Sequence, residues 1–382
     1  MNVTFFYDIR FLVRKKKIYS HYGVTNSLFD RYLDIFDEFT YVGRRERITS
    51  KNKEFIHDKY QVTNISLVTF KSNYSNVYTV VKKAVSNSEF CICRLPSIAG
   101  IIACFECRRQ GKPYAIEVVG NILEALWYHS NKGKIFALPI HLIMKYTVWN
   151  SKNVAYITEG YLQKCYPTKG FSRGGIANVS LPKLDKSILN NRIHKINEKL
   201  EQDLIHIGLI GSLDVNYKGH DTALKAIVEL KNKFPNIKLH FLGQGSYKRW
   251  EEMANELGVL ENVIYDGSLP GGQPIYDWLD QIDIYIQPSI TEGHGRAVVE
   301  AMSRGCVVFA AKTGGLVDSL DAKYLFSKRN YKQLANLIEY AIRDKEYQIS
   351  AATKNFHKAK KYEAHRIEQL RKKFYWIAAH NG

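Results

Sequence analysis

Residues 288–302 read Pro-Ser-Ile-Thr-Glu-Gly-His-Gly-Arg-Ala-Val-Val-Glu-Ala-Met, and this stretch decides the fold. The apolar run before it, residues 283–287, predicts a short buried strand. Two glycines in the following turn allow the backbone to approach a ligand closely. Residues 296–304 then predict a helix, which Gly305 ends. The pattern is therefore a strand, a glycine-containing turn and a helix N-terminus.

This pattern predicts an anion site that is flanked by two carboxylates. Free backbone amides and the helix dipole both favour negative charge at a helix N-terminus. Glu292 precedes the helix and Glu300 lies inside it. Because carboxylates repel a phosphate, we expect these two to accept hydrogen bonds from hydroxyl groups. A diphosphate on the amides and hydroxyls on the carboxylates together describe a nucleotide-sugar. The alternative is a solvated helix in which Glu300 has no function.

The spacing from Glu292 to Glu300 resembles the paired-glutamate signature of retaining glycosyltransferases of family 4, within glycosyl transferases group 1. The flanking residues Gln287-Pro-Ser289, Glu300-Ala-Met-Ser-Arg-Gly305 and Gly314-Gly315 resemble that family as well. The resemblance implies an α/β chain with the GT-B fold, in which two Rossmann-like domains face each other across a cleft. It also implies that the C-terminal helix crosses back to the N-terminal domain.

Three shorter motifs resemble a subgroup of this family that builds bacterial capsule and surface polysaccharides. They are Arg94-Leu-Pro-Ser97, Glu117-Val-Val-Gly120 and Tyr161-Leu-Gln-Lys-Cys-Tyr-Pro167. The resemblance implies transfer of a hexose-type sugar to a glycan or a polyprenyl-diphosphate-linked glycan in capsule or O-antigen synthesis.

The length of 382 residues favours two domains. Strand-like and helix-like segments alternate along the chain, which predicts parallel sheets covered on both faces. We predict an N-terminal acceptor domain over residues 1–195, completed by residues 355–382. A C-terminal nucleotide-sugar domain is predicted over residues 203–354. Residues 178–204 have little periodicity and predict a linker.

The net charge of +18 is unevenly distributed. Residues 1–203 carry 31 Lys and Arg against 17 Asp and Glu, and residues 354–382 carry 8 against 2. The segment between them is close to neutral. This distribution favours an anionic membrane surface as partner. Nucleic acid is not expected, because no nucleic-acid-binding motif is present. A basic surface without a partner is the alternative.

Four of the six cysteines have spacings that could hold zinc, Cys91-x-Cys93 and Cys104-x-x-Cys107. Their surroundings read as a buried strand and as the apolar face of a helix. Cysteine is a common small core residue. We therefore expect buried thiols in a reducing cytoplasm rather than a metal site.

The resemblance implies a set of donor-binding residues. These are Gly211, Ser212, Lys218, Gly267, Leu269, Glu292, Gly293, His294, Gly295, Arg296 and Glu300.

Family analogy gives several of these residues separate roles. Lys218 lies in a loop that resembles the family's phosphate loop and is expected to pair with the diphosphate. Ser212 occupies the position of an arginine that the family often carries. Glu292 is expected to contact the donor sugar and Glu300 the ribose. The backbone near Gly267 is expected to hold the base, and a UDP-sugar is favoured over a GDP-sugar. No Asp-x-Asp motif is present, so we expect no divalent metal requirement.

The acceptor side is less clear in the sequence. Tyr22 and Gly23 lie where the family has a glycine-containing loop at the cleft. Glu117 lies inside an apolar strand whose family counterpart commonly ends near an active-site histidine, and no histidine is found there. Since burying an ionisable group is costly unless it is used or paired, Glu117 is either an acceptor-side base or a structural carboxylate.

We therefore expect a metal-independent hexosyltransferase with catalytic residues Glu292, Lys218 and Glu117. It is expected to be cytoplasmic and peripheral at the inner face of the plasma membrane. Two other classes stay open. One is a nucleotide-sugar hydrolase or epimerase on the same fold, and the other is a basic anion-binding protein without transferase activity.

Overall fold

The computed structural model describes residues 1–20, 26–47, 49, 61–129 and 131–380. The chain forms two compact units. Unit 1 contains Met1–Ile176 and Glu368–Gly382, and unit 2 contains Ala177–Ile367. The predicted acceptor-side residues Tyr22 and Gly23 lie outside the described residues.

Unit 2 is a parallel sheet with helices on both faces. Its elements are α7 (Lys186–Glu198), β10 (Ile205–Ile210), α8 (His220–Leu230), β11 (Ile237–Leu242), α9 (Lys248–Glu256), β12 (Val263–Tyr265), α10 (Gln273–Gln281), β13 (Ile284–Gln287), α11 (Arg296–Ser303), β14 (Val307–Ala311), α12 (Leu316–Ser319), β15 (Leu325–Phe326), α13 (Tyr331–Arg343) and α14 (Lys345–Ala359). The strands are short apolar runs because helices cover both faces of a parallel sheet. Their side chains form one hydrophobic core with those of the covering helices.

The strand order of unit 2 fixes where a ligand can bind. The order is β12-β11-β10-β13-β14-β15. From β10 the chain builds the sheet in one direction through β11 and β12, and from β13 it builds in the other. The sheet therefore has a topological switch point between β10 and β13. In such sheets ligands bind beyond the carboxyl ends of the strands at this point.

Unit 1 is built on a second, mostly parallel sheet. Its elements are β1 (Asn2–Arg14), β2 (Lys17–Ser20), α1 (Asn26–Leu33), β3 (Glu38–Glu46), β4 (Gln61–Val62), β5 (Ser66–Phe70), α2 (Val77–Ser86), β6 (Phe90–Leu95), α3 (Ile98–Gln110), β7 (Tyr114–Val118), α4 (Ile122–His129), α5 (Asn131–Trp149), β8 (Asn153–Tyr156), α6 (Tyr161–Cys165), β9 (Phe171–Arg173) and α15 (Ala364–His380). β1 pairs in parallel with β3 and β6, and β7 to β9 continue the sheet.

The start of the chain forms a β-hairpin. β1 continues to Arg14 and turns back into β2, which pairs with it in antiparallel register. Lys15 and Lys16 both have positive φ, at 47° and 64°. Two such residues give the turn that matches the twist of a tight hairpin. Residues 17–20 are therefore a strand that pairs with the end of β1.

The boundary between the units also differs from the predicted one. Residues 177–195, predicted to end the first domain, belong to unit 2. The predicted linker contains α7. The Arg192 guanidinium on this helix donates hydrogen bonds to the carbonyls of Leu279 and Ile282 at 2.9 and 2.6 Å, which attaches α7 to unit 2. α14 also belongs to unit 2, where Phe356 is fully buried.

The predicted return of the C-terminal helix to the N-terminal domain is observed, but from Glu368 rather than from residue 355. In α15, Phe374, Tyr375 and Ala378 pack in a core of unit 1.

The cysteines and the helix lengths complete the description of the fold. All six thiols are free, and the four with zinc-like spacing are buried in unit 1. Within the described part of the chain no group of three or more metal-ligating side chains is arranged to hold a metal ion. None of the described helices is both long enough and apolar enough to span a membrane.

Candidate active site

The loops after β10, β11 and β12 are joined by backbone hydrogen bonds at the carboxyl edge of the unit 2 sheet. Gly211 N donates to Leu242 O at 2.9 Å, and Gly243 N donates to Gly267 O at 2.7 Å. Gly267 has a φ of 71° and open space where a side chain would be. This edge therefore presents closely spaced backbone, with an opening beside Gly267.

The loop after β10 also contacts the loop after β13. Ile290 N donates to Tyr217 O at 2.8 Å. Gly219 has a φ of 83°, and a Cβ there would lie 2.1 Å from Pro288 O. Only glycine fits this approach. The two loops that border the switch point are thus held together directly.

The loop after β14 holds Glu292 from the other side. Gly315 N donates to Gly293 O at 3.1 Å, and Thr313 Oγ1 donates to Ile290 O at 2.9 Å. A Cβ on Gly314, whose φ is 51°, would lie 1.6 Å from Glu292 O. The backbone around Glu292 is therefore enclosed by its neighbours, as a preorganised site requires.

Lys218 and Glu292 form an ion pair at the switch point. Lys218 Nζ donates to Glu292 Oε1 at 2.6 Å, and the two side chains are 21% and 14% exposed. The lysine stem crosses Gly211, where an added Cβ would lie 3.0 Å from Lys218 Cγ. The structure thus brings together two of the predicted catalytic residues, one from each bordering loop.

Three buried polar side chains lead from the sheet to Glu292. The Tyr285 hydroxyl donates to Gln287 Oε1 at 2.6 Å, and Gln287 Nε2 donates to Ser289 Oγ at 2.8 Å. The Ser289 hydroxyl donates to Glu292 Oε1 at 3.4 Å. Gln287 and Ser289 are buried. Sequence reasoning missed this series of hydrogen bonds, although the polar residues Gln287 and Ser289 at the end of an apolar strand were a visible signal of it.

The helix after the turn, α11, begins at Arg296 with Gly295 as its N-cap at a φ of 78°. The first amides of a helix have no intrahelical acceptor, so those of α11 are available to an anion. Glu300 lies one turn further on, and burial raises the pKa of its carboxyl while Arg296 opposes the rise. Among the described residues no hydrogen bond to this carboxylate is found. Glu300 is therefore available to accept hydrogen bonds from a ligand.

The remaining predicted donor residues surround this arrangement. Ser212 lies in the loop after β10, and its Oγ accepts a hydrogen bond from Asp214 N at 3.4 Å. Leu269 is exposed in the loop after β12. Ser212 supplies no positive charge at the position where the family often has an arginine. The cation that pairs with Glu292 is Lys218.

The His294 side chain is buried and packs against an aromatic ring. Its ring is buried and lies edge-on to Tyr362 at a centroid distance of 5.2 Å. Among the described residues Nδ1 has no hydrogen-bond partner. Burial, reinforced by Lys361, lowers the pKa of His294 to about 4. The imidazole is therefore neutral at pH 7 and offers no positive charge to an anion.

Replacing His294 by phenylalanine is expected to reduce acid sensitivity without changing sugar transfer. A folded-state pKa below the unfolded value of about 6.5 means that the unfolded chain binds more protons, so stability is lost as pH falls through this window. Between pH 7 and pH 5 the buried histidine lowers the free energy of unfolding of the wild type by about 2 kcal/mol. We expect the variant not to lose this stability. Urea unfolding at both pH values measures the difference. The exposed His357→Phe is the control, and an unchanged acid loss in the His294 variant would contradict the assignment.

Glu117 is the predicted catalytic residue that the structure places differently. Its carboxylate is buried in unit 1, accepts hydrogen bonds from the hydroxyls of Tyr32 and Tyr375, and lies 3.4 Å from Arg94 Nη1. Every partner belongs to the packed interior. The structure therefore favours the structural alternative, and Glu117 is withdrawn as acceptor-side base.

Another acidic residue of unit 1, Asp8, was missed by sequence reasoning. Its carboxylate accepts hydrogen bonds from Ile98 N at 2.8 Å and Ala99 N at 3.1 Å, at the N-terminus of α3. Burial raises the pKa of Asp8, while these two bonds lower it. The sequence signal was a lone acid in a long apolar strand. Asp8 caps α3 at the carboxyl edge of this sheet.

Solved structures confirm the predicted GT-B fold class. Anabaena HepE in complex with UDP is 16% identical, with a TM-score of 0.67 over 97% of this chain and 98% of HepE. The same protein in complex with UDP-glucose gives a TM-score of 0.65 at 15% identity, over 98% of this chain and all of the other. At this identity the likeness establishes the fold alone.

Sequence relatives carry the assignment further. The family model described as glycosyl transferases group 1 matches residues 191–360. Protein CapJ of Staphylococcus aureus is 34% identical over 98% of this chain and 94% of its own length. The capsular polysaccharide biosynthesis glycosyltransferase CapH of the same species is 30% identical over 38% of this chain and 43% of its own. The family match contains the loops that hold Lys218, Glu292 and Glu300, and the likeness to CapJ extends through both units, so the chain belongs to the group 1 family of glycosyl transferases.

Proposed function

We propose that this protein is a retaining hexosyltransferase that moves a sugar from a nucleoside-diphosphate donor to a glycan or a lipid-linked glycan in bacterial surface polysaccharide synthesis. The observation that carries the proposal is the Lys218–Glu292 ion pair beside the N-terminus of α11. The likeness to HepE, which was solved in complex with UDP and with UDP-glucose, supports a uridine donor. The likeness to CapH, a glycosyltransferase of capsular polysaccharide biosynthesis, supports capsule synthesis as the setting.

The ion pair suggests how the site responds to a donor. Without a ligand, Lys218 and Glu292 neutralise each other at 2.6 Å. A diphosphate that binds at the amides of α11 competes for the Lys218 ammonium, because it carries more negative charge than one carboxylate. Glu292 is then free to accept hydrogen bonds from hydroxyls of the donor sugar. Donor binding and release of Glu292 are therefore one event in this proposal.

Stabilisation of the leaving group supplies the catalytic effect. As the bond from the sugar to the phosphate breaks, negative charge grows on the departing diphosphate. In this proposal Lys218 and the amides at residues 293–296 stabilise this charge, and preorganised charge of this kind contributes most in the transition state. These groups perform the role that a divalent cation has in other transferases, so the proposed reaction needs no metal.

Glu300 is proposed to hold the ribose of the donor. Its raised pKa reflects burial, and a partly desolvated carboxylate gains from accepting hydrogen bonds from hydroxyls. The open backbone at Gly267 is proposed to hold the base. Retention at the anomeric carbon follows if the acceptor hydroxyl attacks on the face that the diphosphate leaves. The departing phosphate oxygen then takes the acceptor proton, and Glu117 has no part in this step.

The proposed acceptor is a growing glycan on a polyprenyl diphosphate at the inner face of the plasma membrane. The excess of Lys and Arg in residues 1–203 and 354–382 supports this location, since anionic lipids attract basic surfaces. The protein would then be cytoplasmic and peripheral to the membrane.

Release of nucleoside diphosphate from a panel of uridine and guanosine hexose donors tests this proposal. The reactions contain a chelator and are run with and without bacterial lipid extract. We expect release from a uridine donor that increases with the extract. Release of nucleoside diphosphate at the same rate with and without the extract would favour a hydrolase. Conversion of the donor to another nucleotide-sugar without release would favour an epimerase. Binding of donors without any turnover would favour a binding protein. Activity that is present without the chelator and absent with it would contradict metal independence.

A further inference from the structure

One surface of unit 1 exposes an unusual amount of apolar side chain. Of the 22 large hydrophobic residues that are exposed in the described structure, nine lie between residues 127 and 149 on α4 and α5. They are Trp127, Tyr128, Ile135, Phe136, Leu138, Leu142, Ile143, Tyr146 and Trp149. We call these nine residues the α4–α5 surface. Apolar patches of this extent mark interaction sites on soluble proteins.

The α5 part of this surface is the outer face of a helix whose inner face is buried. Along α5 the exposed residues recur at positions 135, 138, 142, 146 and 149, which is the spacing of a single helical stripe. Ala137, Met144 and Val148 lie on the opposite side of α5 and are fully buried. The inner face of α5 therefore fulfils the packing role, and the outer stripe is left for a partner.

Charge around this surface favours an anionic partner. Residues 122–152 carry four lysines and one acidic residue. Lys132, Lys134 and Lys145 lie on α5 itself and are exposed. Long lysine stems can lie along apolar surface while their ammonium groups stay in water. An apolar stripe bordered by lysines is the pattern of a helix that lies in the interface of an anionic bilayer.

Aromatic residues at the ends of the surface fit the same partner. Trp127 and Tyr128 close α4, and Tyr146 and Trp149 lie in the last turns of α5. The Lys169 ammonium lies over the Trp149 ring at 5.1 Å. Tryptophan and tyrosine are enriched at the headgroup level of membranes because they combine an apolar ring with a polar group. The surface thus combines aliphatic, aromatic and cationic side chains, which are the kinds found at a lipid interface.

The helix that begins this surface, α4, starts at the ligand-binding edge of its own sheet. α4 follows β7 directly through residues 119–121, at the carboxyl end of that strand. Ligands of doubly wound sheets bind beyond this edge. A bilayer in contact with α4 and α5 would therefore be close to the place where unit 1 can hold a substrate.

We propose that the α4–α5 surface docks unit 1 onto an anionic phospholipid bilayer. The apolar stripe of α5 then lies at the boundary between the headgroups and the acyl chains, and its lysines lie among the phosphates. The biological purpose rests on the proposed function, since a lipid-linked acceptor would be met at this surface. The docking itself needs neither donor nor acceptor. A second copy of the chain fits less well, because a two-fold contact through α5 would bring its lysines together without matching acids.

Sedimentation of the full-length protein with vesicles tests the docking. Vesicles of phosphatidylcholine alone are compared with vesicles that also contain phosphatidylglycerol, in the absence of donor and acceptor. The double variant Ile135→Gln/Leu142→Gln removes two apolar contacts. The matched control is Leu200→Gln in unit 2, because Leu200 and Leu142 are 57% and 55% exposed. A third variant, Lys132→Ala/Lys134→Ala, tests the charge contribution.

We expect wild type and the Leu200 control to bind the anionic vesicles, and the apolar double variant to bind at least about tenfold more weakly. Each lysine removed should weaken binding roughly fivefold at low salt. Equal binding by the apolar variant would overturn the proposal. So would a dimer in light scattering that this variant dissociates, because a second copy would then cover the surface. Vesicle binding without any donor turnover would reject the proposed function and leave the docking in place.

Discussion

Replacing Glu292 by glutamine is expected to reduce sugar transfer roughly 100- to 1000-fold without unfolding the protein. The substitution removes the negative charge that pairs with Lys218 at 2.6 Å and that we assign to the donor hydroxyls. Lys218 would then be uncompensated in the free enzyme and would bind the diphosphate product more tightly. We therefore expect the loss in kcat, with KM for the donor unchanged or lower. Steady-state release of nucleoside diphosphate measures both constants.

The control for this prediction is Glu252→Gln, an exposed glutamate on α9 of the same unit. It makes the same chemical change at a distance from the loops around the switch point, so its kinetics should match wild type. Thermal unfolding of both variants shows whether the fold survives. Wild-type turnover in a folded Glu292→Gln protein would remove Glu292 from the site.

Replacing Glu117 by glutamine is expected to destabilise unit 1 by about 3 kcal/mol. The Arg94 guanidinium, 3.4 Å from the carboxylate, would remain buried without its counter-charge. The hydroxyls of Tyr32 and Tyr375 would lose a charged acceptor as well. Breaking one partner of a buried pair costs more than removing both. Chemical denaturation, with the midpoint and slope compared to wild type, measures the effect.

The double variant Arg94→Met/Glu117→Leu separates a structural carboxylate from a catalytic one. It removes both charges, so we expect it to recover part of the stability that Glu117→Gln loses. Sugar transfer per folded molecule should stay close to wild type in both proteins. A stable Glu117→Gln protein with strongly reduced transfer would instead restore Glu117 as the acceptor-side base.

The sequence predicted how the loops around Glu292 are arranged in unit 2 because the determinants of that arrangement are local. A strand, a turn and a helix within residues 283–304 place Glu292, Gly295 and Glu300, and the parallel sheet places the Lys218 loop beside them. The loops after β10 and β13 meet at the switch point of the sheet, and both follow apolar strands that any periodicity analysis finds. Local pattern and sheet topology therefore agree in unit 2.

Unit 1 was predicted less well because its determinants are distant in sequence or invisible in it. The environment of Glu117 depends on Tyr32 and Tyr375, which are 85 and 258 residues away. The turn of the β1–β2 hairpin uses positive φ at two lysines rather than at glycines. Helix α7 was missed because Arg192, a charged residue in a polar stretch, is buried among backbone carbonyls.

The most direct test of the account is the calorimetric titration of UDP into wild type and Lys218→Met in the presence of chelator. We expect one UDP bound per chain without metal, and at least about tenfold weaker binding to the variant, since one lysine–phosphate contact is removed. Lys248→Met, at an exposed lysine of α9, should bind as wild type does. Equal affinity of the Lys218 and Lys248 variants for UDP, or no binding of UDP or any other nucleoside diphosphate to wild type, would contradict the claim that this edge of unit 2 holds the donor diphosphate.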